Sequence, residues 1–409
     1  MNITFFIVLG LAFLSFIIPA AVYGIVSRRT MFNRGGLGSS AFLPAAMVLL
    51  PLMLGVRFFL YDGDDFVGSY NFWQIVVPFA GAFAIAASGH FASPRRWFLP
   101  LLTLAVVLAV VVMPENAVNV VPSLPPLANR LILAAAWLFF AGLYPYVNSG
   151  DGVLAVQSLN IPLGIGILGA VNALPLMLGV FGWMFAAAFL ALTVFSWHPS
   201  RIKVSSRDAA AFGFLLFSLI APAAGEGAAS CCVIFALFFL IDFLWALALK
   251  LTFLPRYEDL SANTGFRQAT ADGMDPAQAA SFTVRIQMLM LFFGCFQAYS
   301  PTPWSLLLVS TMITLWLDYR FRNIPTPPQT LRDINAQVLE ELQEINDDYC
   351  IEDFLPNHII IGSNGNGELY GIDNSGNYFN VPIMIDKEDV TILGDNIDLL
   401  PDKINDLWK

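Results

Sequence analysis

Ala229-Ser230-Cys231-Cys232-Val233-Ile234-Phe235-Ala236-Leu237-Phe238-Phe239-Leu240-Ile241-Asp242-Phe243-Leu244-Trp245-Ala246-Leu247-Ala248-Leu249-Lys250 decides the fold class. It holds one acid, Asp242, and no base before its final Lys250. A helix of about 20 apolar residues spans roughly 30 Å of hydrocarbon, and this run is long enough. The same pattern recurs outward in both directions, over 3–26, 41–60, 72–88, 97–113, 127–146, 153–171, 173–196, 209–224, 280–299 and 302–318. With 229–250 these predict an all-α polytopic membrane bundle of about eleven transmembrane helices. Composition agrees: 57% of residues are hydrophobic, 12% are charged, and Phe alone occurs 36 times, far from the usual soluble balance.

The first span has no basic segment ahead of its apolar stretch and runs too long for a signal peptide, so it reads as a retained helix. The four cysteines, Cys231, Cys232, Cys295 and Cys350, are too few to form a disulfide framework; adjacent Cys231 and Cys232 read as small packed or lipid-facing residues. Basic residues cluster in alternate loops: Arg28, Arg29 and Arg34; Arg95 and Arg96; Arg201, Lys203 and Arg207; Arg256 and Arg267; Arg320 and Arg322. The loop at 61–71 carries Asp62, Asp64 and Asp65 instead. By the positive-inside rule the N-terminus is outside and the C-terminus cytoplasmic, consistent with an odd number of helices.

Composition changes at Ile324-Pro325-Thr326-Pro327-Pro328, a stiff spacer. From Thr330 onward there are 17 acidic and 4 basic residues, against 13 and 16 before it. This tail is expected to form a small cytoplasmic α+β domain. Leu331, Ile334, Val338, Leu339, Leu342 and Ile345 keep helical spacing; His358–Ile361, Glu368–Asp373 and Tyr378–Val381 read as strands, the last two joined by a turn at Asn374-Ser375-Gly376-Asn377. Gly362-Ser363-Asn364-Gly365-Asn366-Gly367 is a turn, because a phosphate loop would need Lys-Ser/Thr and a following helix. Residues 335–409 resemble the SUKH immunity superfamily through Leu339-Glu340-Glu341-Leu342, Asn346-Asp347-Asp348-Tyr349, Leu355-Pro356, Ile361 to Glu368, Val381-Pro382 and Leu393-Gly394-Asp395. The resemblance covers the C-terminal two-thirds of that fold and implies an acidic surface that binds a partner protein; a solubilising tail is the alternative.

In the membrane part, polar groups within or beside spans are the functional candidates, because burying them is costly. Asp242 is the most conspicuous; its other reading is a structural pair with a neighbouring helix or a rim Arg or Lys. Glu226, in Gly225-Glu226-Gly227, is expected in a solvated outer loop. Asn148-Ser149-Gly150-Asp151-Gly152 lies at a cytoplasmic helix end, where Asp151 either caps a helix or holds a cation. His90 and His198 lie in cytoplasmic loops beside Arg and read as solvated residues or phosphate contacts. His358 has no Cys or His neighbour for a zinc site. No hydrolase elbow, Walker motif or nucleic-acid signature is present.

Residues 1–320 resemble the polyprenyl-phosphate N-acetylhexosamine-1-phosphate transferases. Asn148-Ser149-Gly150-Asp151-Gly152-Val153 matches their Asn-x-x-Asp-Gly-Ile, Pro199-Ser200-Arg201-Ile202 their Pro-Ala-Arg-Ile, and Ser93-Pro94-Arg95-Arg96 the loop after span three. Asp242 aligns with an Asp before the last cytoplasmic loop, and Asp272-Gly273-Met274-Asp275 with the helix start that follows it. The resemblance implies Mg²⁺ held by cytoplasmic Asp residues, a polyprenyl phosphate, and a nucleotide-sugar donor, with a bacterial inner-membrane location. Two anionic phosphates must meet, so a dication and basic side chains are required. It points to Asp151 and Asp242 for catalysis, with Asp208 as the substitute acid in a rearranged site, to Asp151 for metal binding, and to Asn148, Arg201, Lys203 and Arg207 for ligand contacts.

The match departs from the family at its acids. Ala87-Ser88 stands where the paired Asp belongs, Leu154 where the second Asp of the Asn-x-x-Asp motif would fall, Ser206 at the catalytic Asp, and Arg256-Tyr257-Glu258-Asp259 where histidines cluster. A neutral hydroxyl binds a hard dication weakly. The expectation is therefore a diverged, catalytically impaired transferase relative. Two alternatives stand beside it: an active transferase with rearranged Mg²⁺ ligands, and a membrane anchor displaying an immunity-type module.

Overall fold

A computed structural model describes residues 3–30, 40–60, 71–88, 97–113, 118, 121, 123–147, 150, 152–197, 200–252, 264–271, 274–300, 302, 304–322, 359–363, 368–373, 377–382 and 390–394. The chain divides into two compact units, Met1–Ile324 and Pro325–Lys409. The first is helical: α1 Ile3–Thr30, α2 Phe42–Leu60, α3 Phe72–Ala87, α4 Phe98–Val112, α5 Pro126–Val147, α6 Val153–Ala170, α7 Leu176–Ser196, α8 Ser206–Ala223, α9 Ala229–Thr252, α10 Gly265–Ala271, α11 Pro276–Gln297 and α12 Ser305–Arg322. Six stretches are long and apolar enough to cross a membrane, and α2, α3 and α4 contribute shorter apolar helices. This is the build of a helical, multi-pass membrane protein. The expected tail helix over Leu331–Ile345 lies outside the described residues.

One of the six stretches, Ser206–Leu251, is 46 residues long. Straight, it would reach about 69 Å, over twice the hydrocarbon thickness. It is interrupted by a π-helical turn at Ala224–Ala228, where Gly227 takes φ 91°, a left-handed conformation that costs glycine nothing. Contacts fix the consequence. Gly265, whose backbone N–H bonds to Asp242 of α9, adjoins Phe266, which packs on Gly150. Gly152 packs on Trp197, and the chain from Trp197 leads by way of Ile202 into α8. The start of α8 and the Asp242 half of α9 are thus at one end of the unit, and the chain reverses at Gly227. Glu226 is exposed in that turn, as its loop setting implied.

Without a large hydrophobic drive between helices inside a bilayer, close packing and polar bonds hold them together. The α6–α7 pair shows this most clearly. Gly166 and Gly169 of α6 face Gly182 and Gly179 of α7 closely enough that a Cβ on Gly182 would stand 2.6 Å from the Gly166 nitrogen and 2.8 Å from the Pro162 carbonyl oxygen. The connection between them is short because Asn172, at φ 59°, turns the chain and the Ala173 N–H donates to the Leu168 carbonyl (2.9 Å). Phe235 of α9 fills the space left by Gly164 of α6 and Gly294 of α11, while Asn160 donates to the Phe235 carbonyl at 2.8 Å. Trp137 of α5 donates its indole N–H to the Phe214 carbonyl of α8 (3.0 Å) and lies against the Phe214 and Phe217 rings.

The second unit contains a four-stranded antiparallel sheet in the order β1 Ile359–Ser363, β2 Glu368–Ile372, β3 Tyr378–Pro382, β4 Thr391–Gly394. Ile360, Leu369, Phe379 and Val381 form its small core. The first three strands follow the apolar runs read from the sequence.

Candidate functional site

Two buried acids of the first unit, Asp208 and Asp242, lie at the end that holds the α8 N-terminus and the Asp242 half of α9. Asp208 is 1% exposed in the first turn of α8. Ser205 caps that helix: its Oγ accepts the Asp208 N–H at 3.1 Å and donates to Asp208 Oδ2 at 2.9 Å. Ser40 donates to Asp208 Oδ1 at 2.5 Å, and the Ala41 N–H to Oδ2 at 3.3 Å. Tyr23 of α1 donates to the Ala41 carbonyl at 2.6 Å. The carboxylate also sits favourably at the positive end of the helix dipole. Asp208 therefore ties the start of α8 to the start of α2 and, through Ala41, to α1. Replacing it with Asn removes one acceptor oxygen and the charge. The expected cost is about 1–3 kcal/mol, read as a lower thermal midpoint in detergent, with Asp208→Ala lower still.

Asp242 occupies a second cluster. Its Oδ1 accepts from the Gly265 N–H at 2.7 Å and from Arg322 Nη2, which also donates to the Asp242 backbone carbonyl at 3.2 Å. Arg322 closes α12: its Nε donates to Asp318 Oδ2 at 3.0 Å and its Nη1 to Gln268 Oε1 of α10 at 2.7 Å. Asp318 is fully buried, and its Oδ1 has no hydrogen-bond partner. Trp245 flanks the guanidinium, and Phe321 stacks on Phe282 of α11. Thus α9, α10 and α12 are held together by one guanidinium and two carboxyl groups. The structural pairing of Asp242 with an Arg on a neighbouring helix is the arrangement found.

The other site residues fall as follows. Arg201 and Lys203 are exposed just before α8 and make no side-chain bond among the described residues. Arg207 is half-buried, with its guanidinium 4.2 Å from the Phe98 ring centroid and Nη1 3.4 Å from Ser88 Oγ. Asn148 and Asp151 lie outside the described residues, as do His90, His198 and His358. Asp275 caps α11, accepting the Gln278 N–H at 3.2 Å, as the Asp-Gly-Met-Asp pattern implied. Asp208 and Asp242 share no partner, and among the described residues no three His, Cys, Asp or Glu side chains form a group fit for a metal ion.

Sequence reasoning missed Asp318, Arg322 in its bonding role, Gln268 and Gly265. The signal was present: an acid and a base four residues apart at the end of an apolar run, facing one side of a helix. Arg322 read as a topological charge, and that reading hid its second role.

No family model and no curated protein matches the chain.

Proposed function

We propose that the first unit is a catalytically impaired relative of the undecaprenyl-phosphate N-acetylhexosamine-1-phosphate transferases, working on a lipid carrier at the cytoplasmic face of a bacterial inner membrane. In this reading all eleven long helices cross, with the two halves of Ser206–Leu251 as separate crossings and the N-terminus outside. The carrying observation is that both described acids assigned to catalysis are already committed. Mg²⁺ needs near-octahedral oxygen ligands at about 2.0–2.1 Å. Asp208 already accepts three donors from Ser40, Ala41 and Ser205. Asp242 meets a guanidinium where an ion would sit. Neither carboxylate fits the dication.

What supports retained ligand binding is the basic rim. Arg201 and Lys203 are exposed beside the α8 N-terminus, in a match to the family's Pro-x-Arg-Ile motif. Two such charges at a membrane surface favour an anionic phosphate by about 1 kcal/mol each. The acidic second unit is proposed to bind a protein partner at the same face. For the lipid, nanodisc-embedded protein should bind undecaprenyl phosphate above a phospholipid background, and Arg201→Ala and Lys203→Ala should each weaken it roughly fivefold. Undecaprenol, which lacks the phosphate, should be unaffected by either substitution. Equal loss of both lipids, or no binding above background, contradicts the proposal.

A further inference from the structure

The α9–α10–α12 cluster holds two carboxyl groups and one guanidinium in a largely buried place. Asp318 Oδ2 takes the Arg322 Nε, and Asp318 Oδ1 is buried without a partner. The Asp242 and Asp318 carboxyls share the Arg322 guanidinium. Their Oδ1 atoms converge on Gly265, 3.1 and 3.2 Å from where a Cβ on that residue would stand. Two ionised carboxylates have only acceptors to offer one another. They repel, and Arg322 cancels only one of the two charges; like charges sharing a site cannot both ionise at ordinary cost.

Among the described residues, the cation bonded to both carboxyls is Arg322. The Gly265 N–H adds a neutral donor to Asp242. The other basic and phenolic groups on the helices packed here are Lys250 of α9, Arg267 of α10, Arg285 of α11, and Tyr319 and Arg320 of α12. From α11 the neighbouring side chain is Phe282, packed on Phe321, and from α6 it is Val153, in the same apolar cluster.

We propose that Asp242 and Asp318 bind one proton between them, carried on Asp318 Oδ1 and donated to the Asp242 carboxylate, and that this proton holds α10 onto α9 and α12. The proton gives the orphan oxygen a partner and makes the three-residue set electroneutral. Its loss to water leaves two carboxylates facing each other beside the Gly265 N–H and Gln268, the two groups of α10 bonded to this set. Protonation is thereby coupled to the docking of a cytoplasmic-end helix. The inference is independent of whether the unit binds a carrier lipid.

Infrared spectra of the full-length protein in nanodiscs test it. The wild type should show a protonated-carboxyl C=O band that shifts in D₂O and disappears on raising the pH. Asp318→Asn should lose the band while remaining folded, because its amide N–H donates the same bond to Asp242. Asp242→Asn is a second variant that should also lose the band. Hydrogen exchange of residues 265–271 should rise with pH more in the wild type than in Asp318→Asn. A wild type without the band, or a band that survives in both variants, overturns the proposal. So does a wild type without the band whose stability depends on added Na⁺ or K⁺.

Discussion

Arg322→Met should leave little folded protein. Arg322 is 8% exposed, and its guanidinium bonds to Asp318, Gln268 and the Asp242 side chain and backbone carbonyl. Its removal takes away the cation that two buried acids share and leaves Asp242 the Gly265 N–H. Breaking a buried pair from one side costs about 3–5 kcal/mol, because the remaining charge is left uncompensated. That is a large part of the 5–15 kcal/mol typical of a folded protein. Monodispersity and thermal midpoint after detergent extraction are the readouts. The informative companion is Asp242→Asn/Asp318→Asn/Arg322→Met, in which no charge is left. It should recover most of the loss, since replacing a whole buried ionic set by neutral groups is often close to neutral. If Arg322→Met extracts and melts like the wild type, the cluster does not hold these helices together.

A comparable loss is expected for Gly182→Leu at the α6–α7 contact. A side chain there meets backbone: the Gly166 nitrogen, the Pro162 carbonyl and the Gly166 Cα at 3.0 Å. Flexible side chains yield to an inserted methyl group, whereas helix backbones move only as units. Overpacking typically costs about 1–3 kcal/mol, and a backbone obstacle places this substitution at or beyond the upper end. Gly10→Leu serves as the control. A Cβ at Gly10 meets nothing within 4 Å, so its thermal midpoint should stay near that of the wild type. Equal behaviour of the two variants would mean that the glycine contact does not organise the pair.

The long helices were legible because they are apolar runs bounded by charge or Pro/Gly, and hydrocarbon thickness sets the expected length; the seven-residue Gly265–Ala271 was not. Even the hairpin at Gly227 lay in a visible break, Gly225-Glu226-Gly227, although its π-turn geometry did not. Three of the four sheet strands were legible from apolar runs and turn residues; β4, Thr391–Gly394, was not, because it is only 4 residues long. The site was less readable. Asp242 stood out as an acid in a hydrophobic run, but its partners come from residues 23 to 80 positions away. Asp208 looked like a possible ion ligand because sequence shows a carboxylate and not its donors. Ser40 is 168 residues distant, and only the fold brings its hydroxyl to that oxygen. Spacing along a helix can be read from a chain, but bonds between helices cannot.

The most direct test of the central claim is turnover. Purified protein in nanodiscs is incubated with labelled UDP-N-acetylhexosamine, undecaprenyl phosphate and Mg²⁺, and the lipid fraction is assayed for labelled product. With Asp208 and Asp242 held by internal bonds, the predicted result is no product above the lipid-free blank, alongside measurable binding of undecaprenyl phosphate. Labelled lipid product that is abolished by Asp151→Asn would contradict the account and establish an active transferase built on rearranged ligands.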